Sequence, residues 1–474
     1  MNSIKFERLG NLLKFLPKSK IKAGDGKESG EYPFFTSSAI LSKFLDIFKY
    51  EDESLIFGSG GNASIHYCNK KFATSTDCFV VNQASEDIDL KYIYYYLKSN
   101  IRILENGFKG AGLKHISKKY ISEIKIPFLP LEDQQKIAGL LSQIEELINK
   151  REESIKLLDE LTKSTFLDMF INNAENTTWE LKTIEKLALD KKSSMRTGPF
   201  GSDLLHSEFI EDGEVAVLGI DNAVNNKFIW SQKRFITNQK YEQLKRYTIY
   251  PNDIIITIMG TVGRTAVIPT DIPLAINTKH LAALTLNQGL VNSFFIAYSL
   301  RENPYILNQI KKKTRGALMD GLNLTIIKNL SFLLPPKTLQ DKFAEIVTQI
   351  ENTKDIYQNN LTELNNLFGS ISQKAFRGEL DTSKIHLDIT TQKDENMTLE
   401  LTEDNLIQEI KNGTFEVNKF VNKEQHYYDL RDILFKMLEE DLITQEVYDI
   451  EEINPDTGKP EKHKKVKVAY KVKE

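Results

Sequence analysis

The stretch PLEDQQKIAGLLSQIEELINKREESIKLLDELTKSTFLDMF, Pro130 to Phe170, decides the architecture, because a weakened copy returns as PKTLQDKFAEIVTQIENTKDIYQNNLTELNNLFGSISQKAF, Pro336 to Phe376. The register needs no gap. One offset of 206 residues pairs Pro130 with Pro336, Gln134 with Gln340, Lys136 with Lys342, Ala138 with Ala344, and Gln143-Ile144-Glu145 with Gln349-Ile350-Glu351. The same offset pairs Leu158 with Leu364, Leu161 with Leu367 and Phe170 with Phe376. An internal repeat of this kind constrains a fold more than any isolated motif.

In the first copy Ile137, Leu141, Ile144, Ile148, Ile155 and Leu158 recur at three- and four-residue spacings with Glu and Lys between them, the pattern of a coiled-coil seam. Proline suits the entry to such a helix, where its missing N–H is not needed. A helix running to Phe170 spans roughly 55 Å at ~1.5 Å per residue. The second copy carries Phe343, Ile350, Tyr357, Leu364 and Ile371 at sevens, the equivalents of Ile137, Ile144, Arg151, Leu158 and Thr165. Arg151 stands where an apolar residue is expected, so it is predicted to snorkel to solvent or to pair with a Glu. Two apolar stripes in one chain pack most simply on each other. An antiparallel pairing puts the flanking globular domains at opposite ends of a rod.

Outward from the helices, the first 129 residues read as a compact mixed domain. Ser54 to Phe57 and Lys71 to Val81 alternate as strands around the turn Gly58-Ser59-Gly60-Gly61-Asn62, and LKYIYYYLKS after Asp89 has helical spacing. A basic, glycine-containing loop follows from Asn106 to Lys119, then a last strand from Ile121 to Phe128. Residues 130–175 form the first long helix and its exit, with a polar linker at Asn172 to Thr178. Residues 176–334 repeat the order: a hairpin around Ile254 to Ile268 with the turn Gly260-Thr261-Val262-Gly263, a helix at Val291 to Ser299, a basic loop from Lys311 to Gly321, a final strand, then proline. Residues 335–380 are the second long helix, ended near Arg377-Gly378 by the glycine. The expected class is therefore α+β, with two globular domains separated by two long helices in an antiparallel coiled coil. In residues 381–474 a polar linker precedes helices at Glu403 to Lys411 and Tyr427 to Glu440. Strands at Leu442 to Ile450 and Lys464 to Val472 then suggest a small winged-helix-like module that docks to protein.

At 474 residues, with 41% hydrophobic and 10% aromatic content, the chain has enough apolar surface for two to four cores. Only Cys68 and Cys78 are present, which supports neither a disulfide framework nor a zinc site and indicates a reducing setting. The start resembles no signal peptide and no apolar run is long enough to span a bilayer, so a cytoplasmic protein is expected. Asp381 to Glu474 holds 22 acidic and 14 basic residues, which leaves Met1 to Leu380 at +4 against the whole chain's −4. A mildly basic body with an acidic appendage is compatible with DNA binding.

Catalytic patterns are missing. The glycine turns lack the helix and the Lys-Ser/Thr that a phosphate loop needs, and no HExxH, GxSxG or kinase set occurs. No Asn or Asp followed by Pro-Pro and an aromatic residue exists to hold a target base, which argues against a self-sufficient methyltransferase. Recognition remains. Each globular domain ends in a loop rich in cations, glycine and hydroxyl or amide groups: Lys109, Lys114, His115, Ser117 and Lys118 in the first, and Lys311, Lys312, Lys313, Arg315 and Asn323 in the second. Lysines neutralise phosphates, Arg, Asn and Ser reach base edges, and glycine lets backbone approach closely. The alternative is a pair of solvated basic loops, but their recurrence at matching places favours recognition.

PLEDQQKIAGLL and PKTLQDKFAEIV, each entered from a strand ending in proline, resemble the specificity subunits of type I restriction-modification enzymes. So do GEYPFFTSSAI (Gly30 to Ile40) and TGPFGSDLLHSEFIEDGE (Thr197 to Glu214), which resemble openings of that family's target-recognition domains. The resemblance covers Met1 to about Leu380. It implies that each domain reads one half of a bipartite, asymmetric site in double-stranded DNA, that the helices set the spacing, and that the subunit does no chemistry. It also implies two modification subunits using S-adenosylmethionine, and restriction subunits using ATP and Mg. By domain-level analogy, base contacts extend to Thr36, Ser37, Ser38 and Arg264. A coiled-coil scaffold without DNA specificity is the alternative.

Overall fold

A computed structural model describes residues 5–172, 178–231, 233–313, 322–385, 402–412, 443–453 and 460–470, with positions 430, 433, 436 and 437. The chain forms two units, Met1–Ile385 and His386–Glu474. The boundary expected at residue 380 therefore moves to 385: Thr382 Oγ1 donates to Asp133 Oδ1 at 2.6 Å and ties this segment to the first long helix.

The first domain begins with β1 (Phe6–Arg8), α1 (Leu9–Leu12), β2 (Leu13–Phe15), β3 (Tyr32–Phe35) and β4 (Phe44–Leu45). Next come β5 (Ser54–Gly58), β6 (Ile65–Cys68), β7 (Ala73–Thr74) and β8 (Cys78–Gln83), then α2 (Leu90–Ser99), α3 (Arg102–Glu105), α4 (Lys118–Glu123), β9 (Lys125–Pro127) and the rod helix α5 (Leu131–Phe170). The sheet β2-β8-β5-β6 is antiparallel, a second sheet β4-β3-β7 contains the parallel pair β3 and β7, and β1 closes against β9. The strand expected at Ser54 to Phe57 is present as β5, but it is buried along its whole length, so its two faces do not alternate between core and solvent. The expected strand at Lys71 to Val81 is two strands with a turn between them. The expected last strand from Ile121 is a short helix followed by β9; Ser117 starts that helix by accepting from Tyr120 N at 3.1 Å.

The second domain repeats this plan with β10 (Glu180–Thr183), α6 (Ile184–Leu187), β11 (Met195–Thr197), β12 (Val215–Leu218), β13 (Phe235–Ile236), α7 (Asn238–Leu244) and β14 (Thr248–Ile249). It continues with β15 (Ile254–Thr257), β16 (Thr265–Val267), β17 (Ala275–Asn277), β18 (Leu281–Leu284), α8 (Ser293–Glu302), α9 (Pro304–Lys313), α10 (Leu324–Lys328), β19 (Ser331–Leu334) and the rod helix α11 (Lys337–Phe376). Sheet β11-β18-β15-β16 matches β2-β8-β5-β6. Sheet β13-β12-β17 matches β4-β3-β7, keeps its parallel pair and adds β14, while β10 with β19 matches β1 with β9. Lys311 to Lys313 close α9 instead of opening a loop.

The two rod helices have 40 residues each, about 60 Å at ~1.5 Å per residue. They run antiparallel: Phe166 meets Phe343, Asp159 meets Lys354, and Arg151 meets Tyr357, so numbers rising on one helix fall on the other. Arg151 neither snorkels nor pairs with a Glu. Its guanidinium lies 4.0 Å from the centre of the Tyr357 ring, a cation–π contact in the seam. Because Arg151 and Tyr357 are also repeat equivalents, the local two-fold axis passes between them. Near that axis Ile148, Ile155, Leu158, Tyr357 and Leu364 are only half-buried, since a two-helix pair covers one side of each residue. At the ends the seam becomes domain core: Ile137 and Leu141 join Ala375 and Phe376 under the first domain, and Phe343 and Val347 join Phe166 and Phe170 under the second. Ile144 and Ile350 are buried between these regimes. The domains thus occupy opposite ends of the rod.

A buried glutamine fixes each junction. Gln134 accepts from Asp89 N at 3.0 Å and donates to the carbonyls of Asp87 (3.0 Å) and Leu129 (2.7 Å). Its equivalent Gln340 accepts from Asn292 N at 2.8 Å and donates to Pro335 O at 2.8 Å. Asp89 and Asn292 are the N-caps of α2 and α8, so one amide ties the strand exit, the rod and the packed helix together.

In the second unit α12 (Glu403–Asn412) buries Leu406 and Ile410 and packs against the hairpin of β20 (Ile443–Ile453) and β21 (Pro460–Tyr470). The helix expected at Tyr427 to Glu440 lies almost wholly outside the described residues, though Leu430 and Met437 are described and buried. No helix among the described residues is long and apolar enough to cross a membrane.

Candidate nucleic-acid interface

Four connections of the first domain meet at one end of its sheets: the loop after β3, the β5–β6 turn, the β7–β8 turn and the loop before α4. Hydrogen bonds lace them together. Ser37 Oγ donates to Asp77 O at 2.7 Å, and Ser59 N donates to the same carbonyl at 2.7 Å. Ser64 Oγ donates to Ser37 O at 3.1 Å, His66 Nε2 lies 2.8 Å from Ser38 O, and Thr36 Oγ1 accepts from Ser38 N at 3.3 Å. Across the face, Gly61 N donates to Lys114 O at 3.1 Å, and His115 Nδ1 lies 3.1 Å from Ser59 O. Lys109 and His115 exchange backbone bonds, which closes the Gly110 to Lys114 tip.

Thr36, Ser37, Ser38, Lys109, Lys114 and His115 are therefore brought together although they span two distant segments. Lys109, Lys114 and His115 are exposed. Gly58 and Gly110 explain the glycine content: a Cβ on Gly58 would lie 2.2 Å from Ser64 Oγ, and Gly110 adopts φ +145°. Lys118 stands beside the cluster, its ammonium 5.6 Å from the Phe79 ring centre, with Lys18 4.3 Å from the same ring and bonded to Thr76 O at 3.1 Å. Burial lowers the basicity of His66, outweighing the opposing pull of the Ser38 carbonyl, so the ring is held toward its neutral form. Burial raises both thiols, Cys78 to about 11, which suits inert packing groups. Lys18, His66 and Asp77 were not singled out as contacts in the sequence, since only the sheet topology places them here.

The matching face of the second domain is built from Gly219 to Asn222, the β15–β16 turn and Asn277 to His280. Thr278 N donates to Leu218 O and Ile258 N to His280 O, both at 2.9 Å. Gly260 and Gly263 take left-handed conformations (φ +74° and +90°), and Arg264 is exposed at the end of their turn. Lys279 is exposed in the segment equivalent to Thr76 and Asp77, another residue that topology alone reveals. The remaining candidates divide. Lys313 Nζ donates to Asn329 O at 2.7 Å, closing α10, and Asn323 accepts from Ile326 N at 3.0 Å as the N-cap of α10. Lys311 and Lys312 are exposed on the last turn of α9, and Arg315 lies outside the described residues.

Asn323 and Ser117 are both N-caps and both obey the 206-residue offset, as do the buried pairs Ile116 with Leu322, Ile121 with Ile327 and Ile126 with Phe332. The ungapped repeat thus starts ahead of the long helices, within the basic loops themselves. Chemically, the first face offers lysines for phosphates with hydroxyl and imidazole groups for base edges, and the second offers Lys279 and the Arg264 guanidinium, on connections held by a rigid sheet.

The family model for the type I restriction modification DNA specificity domain matches residues 1–157 and 199–366. The chain is 25% identical over 368 residues to the type I restriction enzyme MjaVIII specificity subunit of Methanocaldococcus jannaschii, covering 74% of this chain and 86% of that protein. It is 22% identical over 354 residues to the EcoBI specificity subunit of Escherichia coli, covering 69% and 74% respectively. In fold it is similar to the crystal structure of a type I restriction-modification S subunit from M. genitalium, with a TM-score of 0.57 at 18% identity, over 79% of this chain and 97% of that one. Two matched segments, each a sheet domain running into a rod helix, place the chain in a family: it belongs to the type I restriction modification DNA specificity domain family.

Proposed function

We propose that the chain is the DNA sequence-recognition subunit of a type I restriction-modification complex, reading a bipartite, asymmetric site in duplex DNA and leaving the chemistry to partner subunits. One observation carries this: two topologically equivalent domains with differently composed loop faces sit at opposite ends of one rod. Equivalent folds make both faces readers, and different loops make their half-sites different. The rod, about 60 Å long, corresponds to somewhat under two turns of B-DNA at ~34–36 Å per turn, which sets a fixed unread spacer.

The rod's local two-fold symmetry supports docking of two modification subunits. Leu147, Leu157 and Leu161 on α5 and Ile356 and Leu367 on α11 are 46–58% exposed, and Leu161 and Leu367 are repeat equivalents. S-adenosylmethionine then belongs to those subunits, and ATP with Mg to restriction subunits, all acting inside the cell. The scaffold alternative without DNA specificity is not favoured, because the family match covers both domains.

Sequencing of modified bases in cells that carry the modification partner, with and without this chain, tests the proposal. Methylated adenines in two unrelated half-sites at constant separation are expected only when the chain is present. An unchanged methylation pattern would overturn it.

A further inference from the structure

The two most exposed large apolar side chains among the described residues, Ile40 at 74% and Leu113 at 72%, both stand on the first domain's recognition face. Isolated exposed leucines need no explanation, but this position is unusual in three ways. Leu113 sits at the tip of a loop whose ends, Lys109 and His115, are locked to each other. The loop is further held to the β5–β6 turn, where Gly61 N donates to Lys114 O at 3.1 Å and Ile116 N to Ser59 O at 3.2 Å. Exposed lysines, Lys109 and Lys114, lie on either side of the tip. The side chain is therefore left open to solvent on a fixed tip whose neighbouring residues include two exposed cations. In the sequence Met319 stands 206 residues after Leu113, so a long apolar residue recurs at the repeat offset.

A duplex presents few apolar features to a loop whose flanks reach phosphates. The one that carries sequence information is the thymine C5-methyl in the major groove. We propose that Leu113 is a specificity-determining residue that packs on a thymine methyl in the half-site read by the first domain, with Lys109 and Lys114 on the adjoining phosphates. This rests on the DNA-specificity role proposed above.

The test uses the full chain with its modification partner and duplexes containing the mapped site, in which each thymine is replaced in turn by deoxyuridine. Deoxyuridine lacks only the methyl. At one thymine of one half-site the wild-type complex is expected to lose about fourfold in affinity, the effect of one buried methyl-sized group. Leu113→Ala is expected to bind the unmodified duplex with a similar loss and to be indifferent to that replacement. Its melting temperature is expected to match wild type, as befits an exposed residue. Tolerance of every deoxyuridine by the wild type, equal sensitivity in Leu113→Ala, or a half-site lacking any A·T pair would overturn the assignment while leaving the DNA-specificity role intact. Absence of sequence-specific binding by the wild type would overturn both.

Discussion

Arg196→Ala is expected to destabilise the second domain by about 3–5 kcal/mol, the usual cost of stranding one partner of a buried ion pair. Arg196 is 5% exposed and Asp253 1%. The guanidinium donates to Asp253 Oδ2 at 2.5 Å, to Thr285 Oγ1 at 2.9 Å and to Ser193 O at 3.2 Å, and also to Thr248 O. It therefore pins β11 to the turn before β15 and to the start of β14. Burial raises the Asp253 pKa above the ordinary carboxylate value, and Arg196 is the largest influence opposing it. Removing the cation lets burial raise it further. A carboxyl whose folded pKa lies above its unfolded one stabilises the fold below the unfolded pKa and loses that contribution as pH rises through the folded value. The variant's defect is accordingly expected to be larger at pH 8 than at pH 5. Urea denaturation at both values checks this, and a defect independent of pH would contradict it.

Phe343→Ala is expected to cost about 3–5 kcal/mol, because it removes the centre of an aromatic junction. Phe343 is fully buried, with ring centres of Tyr298, Phe170 and Phe166 at 5.1, 5.3 and 5.5 Å. Those rings come from the second domain and from the far end of the other rod helix, so the loss falls on the seat of the domain. Thermal unfolding of the whole chain, followed with limited proteolysis at the junction, reads the effect. A melting curve like the wild type's would show that the cluster does not hold the domain on the rod.

The rod was legible in the sequence because its signals are long and repeated: Ile137, Ile144, Phe343 and Ile350 keep their spacing over many turns, and the offset leaves no choice of register. Shorter elements were harder to read. Ile124, Ile126 and Phe128 alternate as in a strand and draw Ile121 into the same reading, yet Ser117 caps a helix too short to show its own period. Lys311 to Lys313 read as a loop because a charge run hides the last turn of a helix whose buried anchor is Ile306. Arg151 was legible as an oddity but not as a partner of Tyr357, since an antiparallel register must be known before the two can meet.

The recognition face follows the same division. Thr36 to Ser38 and Lys109 to His115 were visible as polar segments, but their convergence depends on β3 and β7 pairing in parallel across the domain. Lys18, Asp77 and Lys279 reach these faces only through that topology. Asn323 and Lys313, chosen for residue type, hold helix ends through their side chains. Gln134 and Gln340 stood out as repeat partners, and the structure supplies the reason: each satisfies buried backbone groups that a helix start and a strand exit leave open.

Exchange of residues 1–129 for a domain of unrelated specificity from the same family, followed by mapping of methylated adenines, tests the central claim most directly. The account expects one half-site to change completely while the other half-site stays as it was. A change in both half-sites, or in neither, would contradict two independent readers on one rod.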